Sequence, residues 1–311
     1  MIGPRLIGAT AYLSRNQEIP SLDDAMGAVL RTKRLGGSFI KYHTGFDRDQ
    51  RRWMMDAARA NGLGVAAHWV VTNYIPGRLN LTTVIDGATT SEHGLNDGQE
   101  KYSDVVEFLA QSGVIANYST IAGNGGYAQR FWKEVRDVPQ MKSFYMGESP
   151  RERALGNFKA DEHRLPELAG GEERNAQMLA ALDKSGGRVS IGSHGNFDGI
   201  GFHLEMWAHV RGGMDPHSVL RAATLTGAQA AGVQADLGSI EVGKVADLIV
   251  LDKNPLEDIR NTLTVERVMQ SGILRDAMTL DDIWPERISL PQWRMPDKKL
   301  RVSGTSAHVE N

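Results

Sequence analysis

No cysteine occurs among the 311 residues, and this excludes disulfides, thiolate zinc sites and a cysteine nucleophile together. Any metal chemistry must therefore use His, Lys and carboxylates. Neither sign of charge dominates: 35 Lys+Arg against 38 Asp+Glu leave a net charge of −3, which gives no electrostatic footprint for nucleic acid or an anionic membrane. A small neutral substrate is the expected partner. No apolar run reaches the about 18 residues that a spanning helix needs, and the opening MIGPRLIGATAYL lacks the basic, apolar and cleavage regions of a signal peptide. The compartment is not legible. GxSxG and GxxxxGK[ST] are also missing, which removes the serine-hydrolase and P-loop readings, and GNGGY at 123–127 stands in the wrong context for a dinucleotide site.

What is present has ordinary globular composition, 41% hydrophobic and 23% charged, with length for one large domain plus an appendage. To about residue 200, short β-rich apolar runs alternate with stretches of helical period, the pattern of βα units on a parallel sheet. Strands are expected at Leu6–Leu13, Ser38–His43, Leu63–Val70, Thr89–His93, Val114–Ser119 and Arg188–Ser193, six in number. Helices are expected at Leu22–Arg34, Arg48–Asn61, Ser103–Gln111 and Glu172–Ser185, several closed by a following glycine such as Gly113. Residues 121–171 read as a long loop with helical pieces and many aromatics, a lid candidate. Further helices follow at Phe202–Val210 and after Asp215, which can cap with Pro216 at the first helical position. Val219, Leu220, Ala223 and Ala228 share an inward face there. The expected division is a barrel-type domain at 1–236, a small β appendage at 237–285 and a disordered tail at 286–311.

Lys41, His68 and His93 end successive strands and lie 27 and 25 positions apart, about one βα repeat of an eight-stranded barrel. Parallel strands present their carboxyl ends as one rim, so these side chains and His194, flanked by Gly195, converge there. Imidazoles so placed can hold a zinc ion and leave a position for water, whose pKa the ion lowers to about 7. His203 and Glu205, on the next helix, are candidates to line the pocket. His43, His163, His209, His217 and His308 read as loop, helix-surface or tail residues, and Asp198 before Gly199 as turn chemistry.

SIGSHGNFDGIGFHLEMWAHVRGGMDPHSVLRAATLTGAQAAGV, followed by LGSIEVGKVADLIVLDKNPLEDI, resembles the amidohydrolase superfamily, within it the branch that follows a Tol-type β-propeller. Weaker likeness runs through FIKYH, TTVIDGATTSEHGL and YSDVVEFLAQSGVIANYST. The resemblance implies a TIM-type (β/α)8 barrel with a small β-sandwich, and metal-dependent hydrolysis of an amide, peptide or lactam-like C–N bond. It further implies that Lys41 matches a lysine able to bridge two metals when carboxylated. His68 and His93 match metal-ligating histidines, and His194 stands where an aspartate usually serves as base. An imidazole, with an unperturbed pKa of about 6.5, can accept the proton instead. The family's first-strand His-x-His has no counterpart in this sequence, so Leu6–Leu13 corresponds to the third strand. The chain is then a barrel lacking two strands. At most one divalent ion, zinc by expectation, is left to His68, His93 and His194, with His203 toward substrate. Two open edges invite self-association. The rival reading is a non-catalytic scaffold.

Overall fold

A computed structural model of the chain describes residues 5–8, 12–13, 19–43, 47–69, 77–94, 102–120, 165–194 and 199–289. Two units emerge, residues 1–245 with 251–264, and residues 246–250 with 265–311.

In the first unit the alternation of apolar runs and helical periods becomes six parallel strands in sequence order, β1 to β6. These are β1 Tyr12–Leu13, β2 Phe39–Tyr42, β3 Gly64–His68, β4 Thr90–Glu92, β5 Ile115–Asn117 and β6 Arg188–Val189. Between them run α1 Leu22–Arg34, α2 Arg48–Ala60, α3 Gly77–Asp86, α4 Ser103–Ser112 and α5 Leu165–Lys184. After β6 come α6 Gly201–Arg211, α7 Pro216–Ala223 and α8 Leu225–Ala230. This is a TIM-barrel-like α/β order, and among the described residues β1 and β6 form the two edges of its sheet. Most strands are shorter than expected. Residues 5–8 carry no strand, β6 stops at Val189, and α3 was not anticipated at all. Helix α5 begins at Leu165, inside the stretch expected as a lid, and residues 121–164 of that stretch lie outside the described residues, as does the tail from residue 290.

Local chemistry sets the helix starts. Ser21 Oγ accepts the Asp24 N–H, and Asp47 and Gln50 exchange side-chain and backbone hydrogen bonds in a capping box at 2.9 and 3.1 Å. Asp215 Oδ1 accepts the N–H groups of His217 and Ser218, with Pro216 opening α7 as anticipated. Gly113 closes α4 at φ 74, a left-handed conformation glycine adopts without a Cβ penalty.

Strand residues alternate between two faces. On β2 and β3, Ile40, Tyr42, Val65 and Ala67 are buried toward the helices, while Phe39, Lys41 and Ala66 turn to the other face. Met54, Met55, Ala57 and Ala58 of α2, Leu109 of α4 and Leu179 and Leu182 of α5 complete the apolar layer. Val219, Ala222 and Ala228 are buried, with Leu220 and Ala223 packed partly against the core. One charged group is embedded in the layer. Arg51 donates through Nε to Asp86 Oδ2 at 2.9 Å and through a terminal nitrogen to Thr82 at 2.8 Å, and Arg48 adds a bond to Asp86 Oδ1 at 3.0 Å. Burial alone would raise the Asp86 carboxyl, but the two guanidinium groups hold it below the ordinary carboxylate value.

The second unit carries most of a four-stranded sheet in the order β10-β9-β8-β7, with β7 Leu248–Leu251, β8 Val265–Gln270, β9 Ile273–Asp276 and β10 Asp282–Trp284. Antiparallel β8 and β9 join through Ser271-Gly272, both at positive φ, 50 and 82, a backbone that matches the twist of a two-residue hairpin.

Candidate active site

The register builds the site in layers. Lys41 pairs with Ala66, and Ala66 with Thr90, while one layer further toward the carboxyl ends His68 pairs with Glu92 and Glu92 with Asn117. Lys41, Thr90, Glu92, Asn117 and Ser190 line a cavity of about 280 Å³ on the inner side of the sheet, where Gly227, Ala230 and Ala231 of α8 and its C-cap also line it. Above it four imidazoles form a row. The ring centroids of His43 and His68 lie 4.2 Å apart, those of His68 and His93 4.5 Å and those of His93 and His194 5.0 Å. The last two pairs meet edge to face, at 64° and 73°.

Two of these rings stand on unusual backbone. His93 has φ 77 and His194 φ 56, left-handed conformations that cost a non-glycine residue of order 1–3 kcal/mol and cluster at functional sites. The His93 N–H donates to Asn117 O at 3.2 Å, and next to it Gly94, at φ 78, lies so close to Tyr118 and Asn175 that a Cβ would be crowded. The neighbours thus hold the turn that aims His93 along the row.

Charge is disfavoured at His43, His68, His93, Lys41 and Glu92. Burial, then His93 and His43 and more distant cations, lower His68 to about 3. Burial, then Lys41, His194 and His43, lower His93 to about 4. His43 is lowered by burial and Lys41. Burial lowers Lys41 too, against the attraction of Glu92, and raises Glu92 against the Thr90 hydroxyl, which donates to it at 2.5 Å, and against Lys41 and His194. Neutral imidazole is the form that ligates a cation.

Of the sequence candidates, His68, His93 and His194 meet in the row, and Lys41 lies one layer beneath, electrostatically coupled to it. His203 is half-buried, lowered to about 4 by burial, with Nδ1 buried and without a hydrogen-bond partner among the described residues. No ring contact ties it to the row among the described residues. Glu205 is fully buried, and rather than lining the pocket it accepts hydrogen bonds from the Thr120 backbone and hydroxyl. Sequence reasoning missed three groups. His43 is not a bystander in a loop but the first ring of the row. Glu92 was overlooked beside His93. His209, expected on a helix surface, is fully buried with Nδ1 2.7 Å from Glu205 O, because α6 buries residues on every side. Asp198 lies outside the described residues.

Among the described residues no group of three or more His, Asp or Glu side chains is placed so that it could hold a metal ion. The donor set nonetheless suits a divalent cation in kind. Two imidazoles bound to one ion at about 2.1 Å have centroids about 5 Å apart, close to the spacings of this row.

Among known proteins, the family model described as the amidohydrolase family matches residues 2–274. A 5-methylthioadenosine/S-adenosylhomocysteine deaminase from Teredinibacter turnerae is 34% identical over 91 residues, which are 25% of this chain and 20% of that protein. Among solved structures, a Xaa-Pro dipeptidase with bound methionine in the active site is 19% identical with TM-score 0.58, over 83% of this chain and 59% of that one. A bottromycin amidohydrolase is 20% identical with TM-score 0.63, over 85% and 61%. The chain thus spans about three fifths of these structural neighbours and a fifth of the curated relative.

Proposed function

We propose, from the premise that this chain belongs to the amidohydrolase family, that it carries the rim of a metal-dependent hydrolase acting on a C–N bond of an amide, short peptide or lactam. The observation that carries this reading is the contact row His68–His93–His194, imidazoles at or beyond the carboxyl ends of β3, β4 and β6 meeting at 4.5 and 5.0 Å. His68 and His93 would hold one divalent ion, zinc by preference for nitrogen donors. When bound, such an ion polarises the scissile carbonyl and acidifies water.

The protein residues supply the rest. His194, at the open end of the row, takes the proton from the attacking water in place of the family's usual aspartate. His203 offers toward substrate a buried ring nitrogen that has no partner among the described residues. Lys41, kept below its ordinary pKa by burial, lies under the row and balances Glu92. The GSHG segment that holds His194 also motivates the narrower assignment to the propeller-linked branch. The edge strands β1 and β6 are where two further barrel strands, or a second copy, would pair.

Hydrolysis of a panel of N-acyl amino acids and dipeptides tests the reading, with and without added zinc. Zinc-dependent turnover lost in His93→Ala is expected. Turnover indifferent to both zinc and His93 would overturn it.

A further inference from the structure

We propose that Glu205 is a positioning residue of this rim: by holding Thr120 it fixes the stretch that leaves β5, on which the His93 turn is seated. The inference deepens the reading above, which gives His93 its role, and it assigns a task to a buried carboxyl group that the proposed hydrolysis leaves unused.

The contacts run in sequence from α6 to the rim. Glu205 is fully buried on α6, and its Oε2 accepts both the Thr120 N–H, at 3.1 Å, and the Thr120 hydroxyl. Taking a carboxyl group out of water is costly unless it is hydrogen-bonded, and this one ties α6 to a residue 85 positions away in the chain. Tyr118, Ser119 and Thr120 are all buried as the chain leaves β5. The start of the same stretch meets His93: Asn117 O accepts the His93 N–H at 3.2 Å, and a Cβ at Gly94 would lie 3.2 Å from Tyr118 Cδ2. His93 holds φ 77, a conformation that persists only where the surroundings over-determine it. On this side those surroundings are residues 117–120, and Glu205 anchors their far end. Helix α6 has a second buried tether, Trp207 Nε1 donating to the Thr262 hydroxyl at 3.2 Å, which touches neither Thr120 nor His93 and so serves as the comparison.

The ring carbon–proton resonance of His93, identified by its loss in His93→Ala, tests this in the full 311-residue chain without added metal. It should shift in Glu205→Leu and in Thr120→Val, return to the wild-type position in Glu205→Gln, whose amide oxygen can still accept from Thr120, and stay in place in Thr262→Val. Hydrogen exchange supplies a second measurement. The wild-type Thr120 amide should be protected by about a hundredfold, and Glu205→Leu should lose about tenfold or more of that protection. If the resonance keeps its place in Glu205→Leu and Thr120→Val, or moves as far in Thr262→Val, or if the wild-type Thr120 amide exchanges unprotected, the assignment of Glu205 falls. Absence of zinc-dependent turnover in the wild type would remove the hydrolase reading alone, since both measurements are made on metal-free protein.

Discussion

The two faces of the parallel sheet handle charge in opposite ways. On the helical face Arg51 and Asp86 are buried but complementary, and Arg48 and Thr82 complete their hydrogen bonding. On the inner face and rim, Lys41, Glu92 and the imidazoles are partly buried, and every ring would carry the same positive sign if protonated. Burial and neighbouring cations lower His68 to about 3 and His93 to about 4, and burial lowers Lys41. Backbone follows the same division: α1 and α2 carry side-chain N-caps, whereas His93 and His194 sit in left-handed conformations. The helical face is electrostatically compensated from within, and the rim is not.

The largest effect should come from breaking the compensated side. Asp86→Ala leaves the Arg51 guanidinium buried and unneutralised, and stability in guanidinium denaturation should fall by about 3–5 kcal/mol. An Arg51→Met/Asp86→Leu double variant should recover most of it. A loss below about 1 kcal/mol for the single variant would mean that the pair is hydrated and the contrast is weaker than drawn.

The uncompensated side should respond to acid. His68 is lowered to about 3, and His93, His203 and His209 to about 4, whereas an unfolded histidine protonates near about 6.5. Between those values the unfolded chain binds more protons, so stability is full above about pH 6.5 and is lost as pH falls toward about 4. Glu92, raised by burial, opposes this in part. The urea midpoint should be lower at about pH 5 than at about pH 7.5, and an unchanged midpoint would contradict neutral burial. The smallest effect concerns backbone: His93→Gly should stabilise the fold by about 1 kcal/mol, because glycine adopts φ 77 without strain, while abolishing metal uptake. Destabilisation would show that the ring itself holds the rim together.

Periodicity made part of this legible. A βα repeat of about 25 residues puts strand ends at Lys41, His68 and His93, so their convergence follows from spacing. His194 was visible through its glycine. His43 was not, because a histidine just past a short strand looks like loop until its ring is found 4.2 Å from that of His68. His209 was missed because its helix was read as having a solvent face, although Leu204, Met206, Trp207 and Ala208 around it are all buried. Helix α3 escaped notice because LNLTTVID is rich in β-branched residues that favour strands. Strand boundaries ran too long because pairing, which local sequence does not encode, ends β4 after three residues and β6 after two.

The most direct test of the central claim is zinc content after equilibration at micromolar metal and removal of the free ion, on wild type and His68→Ala/His93→Ala. The rim described above predicts close to one equivalent on wild type and none on the double variant. Less than about a tenth of an equivalent on wild type, or equal retention by both proteins, would contradict it.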